Sequence, residues 1–214
     1  MTPHAQMKAL LPEPKHRGRQ RSVEAESAVL TATSELLEKN CLCKVTTEAI
    51  SLLSGVSKAT IYKWWPNKTL VALDAFLMRM SHDVPTPDTG SAQKDFTEQV
   101  KSLIVFYTSP AGRAFCQFIA EGQSDPEFLA SFRERFLKSR RDDVRVIWQR
   151  GVARGEIRAD ADSEVVLDLI YGPIIYRLLV GHAPLNAREA KILVSAVFTG
   201  IGNRFDQAAR ESHR

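Results

Sequence analysis

Apolar residues recur three and four positions apart along nearly the whole chain. This spacing places them on one face of an α-helix. No stretch shows the sustained alternation of apolar and polar residues that marks a β-strand between hairpin turns. The pattern therefore predicts an all-α protein with about nine helices.

The first part of this pattern divides into four helices at residues that cap or interrupt a helix. Threonine, serine and asparagine are favoured at helix N-termini, whereas glycine and proline interrupt helices. Gly55 separates two short helices, and Pro66 ends the second of them. The four predicted helices cover about residues 22–39, 46–53, 57–64 and 68–82.

A segment with two prolines and a glycine, residues 83–90, is the best candidate for a linker. Five more helices are predicted beyond it, near residues 91–108, 110–123, 126–152, 163–180 and 186–204. The expected organisation is an N-terminal arm at residues 1–21, a first helical domain at 22–82 and a second at 83–214.

The net charge of +4 is concentrated toward the N-terminus. Residues 1–80 hold 11 basic and 7 acidic residues, whereas the remainder of the chain holds 18 of each. Four of the basic residues are Lys15, Arg17, Arg19 and Arg21. This composition is typical of a flexible arm that meets a polyanion such as nucleic acid. A merely solvated terminus is the alternative interpretation.

The segment from Thr46 to Lys68 has the pattern of a helix-turn-helix. Two short helices that cross steeply need a turn residue that tolerates a left-handed backbone, which Gly55 supplies. Ile50, Val56 and Ile61 stand where a shared core between the helices needs apolar side chains. The second helix then exposes short polar side chains and cations, which suit base edges and phosphates.

This segment resembles the DNA-binding domain of the TetR family of bacterial transcription regulators, with about twenty consecutive positions alike in type. Ser51 and Ser54 replace alanines that are usual in the family, and Cys41-Leu42-Cys43 replaces a turn that usually contains glycine. The resemblance implies that the protein binds a palindromic double-stranded DNA operator.

The same resemblance assigns roles within the DNA interface. It implies that Thr46, Thr47 and Lys68 meet phosphate, that Tyr62 donates to the DNA backbone, and that residues 57–60 with Lys63 enter the major groove. Trp64 and Trp65 are expected to pack beneath this recognition helix rather than to touch DNA. With the basic arm, the candidate DNA-binding residues are Arg17, Arg19, Arg21, Thr46, Thr47, Ser57, Lys58, Ala59, Thr60, Tyr62, Lys63 and Lys68.

Three later segments, 121–126, 150–158 and 171–184, resemble one subgroup of the family's ligand-sensing domains. The resemblance implies a pocket for a small-molecule effector that releases the operator, with repression as the family's usual mode. The number of aromatic residues favours a small, largely apolar effector, although each aromatic side chain is alternatively part of the core. The candidate ligand-binding residues are Phe106, Phe115, Gln117, Phe118, Glu121, Trp148, Tyr171, Tyr176 and Arg177.

The resemblance also implies a homodimer joined through the last two helices, about residues 163–204. The sequence supports this independently, because these helices carry more apolar surface than one pair can bury in its own domain. A large core within one chain is the alternative. The apolar stretch at 165–180 is shorter than the ~20 residues that cross a bilayer and contains Asp168 and Arg177, so no membrane partner is expected.

Other classes of function have weaker support in the sequence. The five histidines are scattered and no phosphate-binding loop follows a strand, so we expect no enzyme, cofactor or metal site. Two alternatives stay open: a thiol-based redox sensor that uses Cys41 and Cys43, and a helical small-molecule-binding protein without a DNA role. The sparse cysteines and the lack of a secretory signal lead us to expect a cytoplasmic protein.

Overall fold

The computed structural model describes residues 17–201 of the chain. Within this range every regular element is helical, which confirms the all-α prediction. A 3₁₀ turn covers Leu42–Lys44 and a π-helical turn covers Arg133–Leu137. The α-helices are α1 (Arg17–Lys39), α2 (Thr47–Ser54), α3 (Lys58–Trp64), α4 (Lys68–Asp83), α5 (Ala92–Thr108), α6 (Ala114–Ser124), α7 (Pro126–Phe132), α8 (Lys138–Ala153), α9 (Ser163–Val180) and α10 (Ala187–Ile201).

The first helix begins at Arg17 and not near Ser22. The prediction placed its start by the first apolar position, but arginine and glutamine are good helix formers and extend the helix into polar sequence. The last five residues of the predicted arm therefore belong to α1. The prediction of a flexible arm for residues 1–16 lies outside the described residues.

The sixth helix begins at Ala114, four residues later than predicted. The preceding turn approaches the end of α5 so closely that a Cβ on Gly112 would lie 1.9 Å from the carbonyl oxygen of Phe106. Ser109 stabilises this turn, since its hydroxyl donates to Phe106 O at 2.6 Å and accepts the Gly112 N–H at 3.1 Å. These contacts form only when the chain folds back onto α5. They leave no periodic pattern of apolar residues in the sequence, so the later start of α6 could not be predicted.

The predicted helix at 126–152 is continuous but contains the π-helical turn between α7 and α8. Its start follows the sequence signal, because Asp125 accepts the N–H groups of Glu127 and Phe128 and Pro126 occupies the first turn. A π-helical turn is rare and is found frequently at functional sites.

The two parts of the fold share α4. Helix α1 packs against α2 and α4, while α4 also contacts α5, α7 and the π-helical turn. Eight of the residues of α4 are buried, and they lie on all sides of the helix. Seven of the eight lie between Thr69 and Phe76, so the first half of α4 is buried on all sides and belongs to both cores.

The segment between α4 and α5 is held in place by the end of α8. Arg150 pairs with Asp88 at 3.0 Å and donates to the carbonyl oxygen of Pro87. The fully buried Asp95 accepts the Thr89 N–H at 2.7 Å. Among the described helices, none is both long and apolar enough to cross a membrane.

Candidate nucleic-acid interface

The turn between α2 and α3 has the geometry that the sequence predicted. Gly55 ends α2 with φ 70° and ψ 7°, a left-handed conformation that favours glycine, and its N–H donates to Ser51 O at 3.0 Å. Ser57 begins α3, where its hydroxyl accepts the Thr60 N–H at 3.2 Å. Ile50 and Ile61 are fully buried between the helices. The structure therefore contains a helix-turn-helix.

Helix α3 turns its predicted DNA-reading side chains toward solvent. Ser57, Lys58, Ala59 and Lys63 are exposed, and Thr60 is half-buried. The same helix buries Ile61 on its other side. Because a side chain must reach beyond the protein surface to contact a base edge, this face is suited to a DNA groove.

Lys58 is paired with Glu48 of α2 in this structure, at 3.0 Å between Nζ and Oε1. Both side chains are exposed. The hydrogen bond from Lys58 lowers the pKa of the Glu48 carboxyl, and the same bond raises the pKa of Lys58. A carboxylate thus lies beside a cation that is a candidate DNA contact.

Thr46 and Thr47, both predicted to meet phosphate, lie in different surroundings. Thr46 is exposed and caps α2, with its hydroxyl accepting the Ala49 N–H at 3.1 Å. Thr47 is buried, and its hydroxyl accepts the hydrogen bond of the Tyr62 hydroxyl at 3.3 Å. Tyr62 itself stays half exposed. In this arrangement Thr47 holds Tyr62 in place and is not itself open to phosphate.

Lys68 lies at the N-terminus of α4, beside the 3₁₀ turn. Its Nζ donates to the carbonyl oxygen of Cys43 at 3.3 Å, while Asn67 caps the helix through the Leu70 N–H at 2.9 Å. Helix N-termini attract anions, so the position suits a phosphate contact. The basic residues Arg17, Arg19 and Arg21 lie on the first turns of α1, and the structure describes only their backbone.

Cys41, at the start of the 3₁₀ turn, is joined by a disulfide bond to Cys43 within it, a pairing that the sequence analysis did not predict. The turn brings their Cα atoms to 5.4 Å, which is within the range for a disulfide. Cys116 is free and half-buried, and burial raises the pKa of its thiol.

Trp64 and Trp65 lie at the end of α3 and pack toward the core. Trp65 is 3% exposed, and its indole N–H donates to Asp74 Oδ2 at 2.7 Å. Trp64 is half-buried and meets Trp65 edge to face, with ring centroids 5.6 Å apart.

Three of the candidate ligand-binding residues lie in one buried aromatic cluster. Phe106, Phe115 and Phe118 surround Phe76 of α4, with ring centroids 5.2 to 6.4 Å from it. The sequence did not single out Phe76, Tyr107 or Phe136, which also belong to the cluster. The helical spacing of the aromatic residues is the sequence signal that could have identified them. We call this set the aromatic cluster: Phe76, Phe106, Tyr107, Phe115, Phe118, Phe128, Phe132 and Phe136.

The remaining candidates do not converge on that cluster. Gln117 accepts the backbone N–H of Leu42, so it links α6 to the turn after α1. Arg177 pairs with Glu189 at 2.7 Å and so joins α9 to α10. Glu121 is exposed and Trp148 is buried in α8.

The two tyrosines of α9 differ from each other. The hydroxyl of Tyr171 donates to Gln99 of α5 at 2.8 Å, and burial raises the pKa of this hydroxyl. Tyr176 is 59% exposed, and its ring contacts that of His182, with ring centroids 4.7 Å apart. The aromatic ligand wall predicted from sequence is thus spread over several places in the structure.

Helices α9 and α10 present apolar side chains to solvent in this single chain. An isolated domain rarely exposes so many apolar side chains on neighbouring helices, and such a patch usually marks an interface. The exposed residues are Val165, Leu169, Tyr176, Leu179, Val180 and Ile192.

Comparisons with known proteins agree on one family. Residues 86–197 match the model of the C-terminal domain of tetracycline-repressor-like proteins. The chain is 39% identical over 185 residues to the uncharacterised HTH-type transcriptional regulator YdeS of Bacillus subtilis, covering 86% of this chain and 93% of that protein. It is 29% identical over 167 residues to the HTH-type transcriptional regulator AqdR of Rhodococcus erythropolis, covering 77% and 80%.

A crystal structure of the TetR family regulator SCO0332 is also similar. It superposes with a TM-score of 0.78 at 31% identity, covering 83% of this chain and 98% of that one. These similarities support a transcription regulator and lend no support to the thiol-sensing alternative.

Proposed function

Because the chain belongs to the TetR family of helix-turn-helix transcription regulators, we propose that it is a repressor that binds a palindromic operator as a homodimer. A small, largely apolar ligand releases it. The family points to regulation rather than catalysis. We place the protein in the cytoplasm, where operator DNA is found.

The exposed polar face of α3 is the observation that carries this proposal. One helix of seven residues reaches only a few base pairs. Two copies related by a two-fold axis read two half-sites, and the operator is then a palindrome. Arg17, Arg19, Arg21 and Lys68 supply the contacts to phosphate, which hold the helix in the groove without reading sequence.

The second copy docks on the exposed apolar face of α9 and α10. Val165, Leu169 and Leu179 are each about half exposed in the single chain. A four-helix bundle formed by α9 and α10 of both copies covers these side chains. This arrangement fixes the distance between the two recognition helices.

The effector site lies in the second domain, between helices that carry the aromatic cluster. Its apolar surroundings favour an apolar or aromatic ligand over a sugar phosphate. Helix α4 connects this region to the DNA-binding part, since it carries Phe76 of the cluster near its middle and Lys68 at its N-terminus. A tilt of α4 changes the position of α3 relative to its copy.

The first experiment measures binding to the promoter region next to the protein's own gene. We expect a salt-dependent mobility shift and protection of an inverted repeat, with sedimentation equilibrium giving a dimer. A scrambled duplex of equal length is the control. Specific binding by a species that sediments as a monomer would contradict the two-fold model, and equal affinity for both duplexes would contradict operator recognition.

The second experiment tests the effector. A compound found by thermal-shift screening is titrated into the protein with and without operator. An allosteric coupling of about 1 to 3 kcal/mol weakens operator binding by roughly 5- to 150-fold, and linkage requires the operator to weaken ligand binding by the same factor. Equal ligand affinities in the two titrations refute release by that compound.

A further inference from the structure

One carboxylate in the middle of α4 bonds to both parts of the molecule. Oδ2 of Asp74 accepts the indole N–H of Trp65 at 2.7 Å and an N–H of the Arg135 guanidinium at 2.9 Å. Trp65 belongs to the helix-turn-helix part, and Arg135 belongs to the π-helical turn of the second domain. The Asp74 side chain is 25% exposed, so the two bonds are only partly open to water.

Trp65 directly follows the recognition helix and caps its C-terminus. Its backbone N–H donates to Ile61 O at 3.0 Å and closes the last turn of α3. Its ring is buried in the core and packs edge to face on Trp64. An anchor on the indole therefore fixes where the C-terminal end of α3 lies.

Arg135 is next in sequence to a member of the aromatic cluster. Phe136 is 3% exposed and its ring lies 5.8 Å from Phe76, 5.6 Å from Phe115 and 4.9 Å from Phe132. Neighbouring residues of a helical turn point in different directions, so the side chain of Phe136 faces the cluster while that of Arg135 faces Asp74 of α4. A shift of Phe136 must move the guanidinium of Arg135 as well.

Two other links join neighbouring parts of the molecule but do not reach α3. The side chain of Gln117 accepts a hydrogen bond from the backbone N–H of Leu42, and Arg79 forms an ion pair with Glu38 of α1 at 2.8 Å. Both act on α1 or on the turn that follows it. The bond through Asp74 instead ends on the residue that follows the recognition helix.

We propose that Asp74 is a positioning residue for operator binding, through which the π-helical turn restrains the C-terminal end of α3. This rests on the proposed function. Loss of either bond to Asp74 leaves α3 with more freedom in the unbound protein. Because α3 must lose this extra freedom when it binds the operator, the affinity for the operator falls.

The variants remove each bond with little other change. Arg135→Met keeps the length of the side chain and removes its donors, and Trp65→Phe keeps a buried aromatic ring and removes the indole N–H. Arg133→Met is the matched control, because Arg133 is exposed in the same turn and forms no ion pair within residues 17–201. Asp74→Leu serves if Trp65→Phe fails to fold, since it removes the acceptor of both bonds with little change in side-chain size.

The first readout is operator affinity at fixed salt. We expect Arg135→Met and Trp65→Phe each to weaken binding by about fivefold, the size of effect that loss of one hydrogen bond produces. The double variant is expected to be no weaker than the weaker single variant, because both changes interrupt the same connection. Additive effects, or an Arg135→Met affinity equal to that of Arg133→Met, would overturn the proposal.

The second readout needs no DNA. The three tryptophans give three indole ¹H–¹⁵N resonances, and Trp65→Phe assigns the one from Trp65. Arg135→Met should shift this resonance and speed exchange of the backbone amides at the end of α3, whereas Arg133→Met should do neither. An unshifted resonance overturns the proposed link. A wild-type protein that binds no promoter DNA contradicts the proposed function, while this readout still decides whether the link exists.

Discussion

Replacement of Lys68 by alanine should weaken binding to every DNA sequence alike. Lys68 lies at the N-terminus of α4, where its ammonium group is held near the Cys43 carbonyl and the helix end attracts anions. A contact to phosphate carries charge but no sequence information. Operator and scrambled duplex should therefore lose the same factor in affinity.

The salt dependence gives the size of the effect. Each phosphate neutralised on duplex DNA contributes about 0.9 to the slope of log affinity against log salt. A dimer carries two copies of Lys68, so the slope should flatten by about 1.8. Between about 50 and 200 mM salt, the difference in affinity between wild type and variant should then shrink by about twelvefold.

Fluorescence anisotropy with labelled duplexes over this salt range measures both quantities. Lys94→Ala is the control, because Lys94 is exposed on α5 of the second domain and carries the same charge. Its salt slope should equal that of the wild type. An unchanged slope for Lys68→Ala, together with lost preference for the operator, would show that Lys68 reads bases and would refute the phosphate contact.

Two further predictions follow from the helix-turn-helix. Glu48→Gln should tighten binding to all duplexes and steepen the salt dependence, because it removes a carboxylate near DNA and frees Lys58 from its 3.0 Å ion pair; anisotropy with unchanged affinity and slope would argue against Lys58 as a contact. Gly55→Ala should lower the free energy of unfolding by about 1 kcal/mol, since φ is 70° there; urea denaturation with no shift of the midpoint would contradict this.

Capping residues made much of the first domain predictable. Ser57 and Asn67 each bond to an N–H three residues later, so the starts of α3 and α4 depend only on neighbouring residues. Helix α1 extended beyond its prediction because polar residues that favour a helix leave no hydrophobic period. The turn before α6 depends on the approach of Gly112 to Phe106, which no local pattern encodes.

The residues of the candidate site also divide into those that the local sequence predicts and those that it does not. The exposed face of α3 follows from helical periodicity, because burial of Ile61 places the polar residues on the other side. Thr47 could not be assigned from sequence, since its burial depends on the Tyr62 hydroxyl that reaches it across the turn. Ligand binding by Gln117 stays a prediction, and its bond to Leu42 could not be predicted because the two residues are 75 positions apart in sequence.

In the proposed mechanism, the linker determines which end of α4 moves when the helix tilts. The segment after α4 is held by Arg150 through Pro87 and Asp88, and Val84 is buried at the end of the helix. The C-terminal end of α4 is therefore the fixed end. A helix of 16 residues is about 23 Å long, so a tilt of about 5° moves its N-terminus by about 2 Å. In the proposed mechanism, α3 and the phosphate contact expected of Lys68 both lie at that moving end. The displacement of about 2 Å expected in each copy exceeds the spread of about 0.5 Å in hydrogen-bond donor–acceptor distances. It would therefore disturb hydrogen bonds to two half-sites whose separation is fixed.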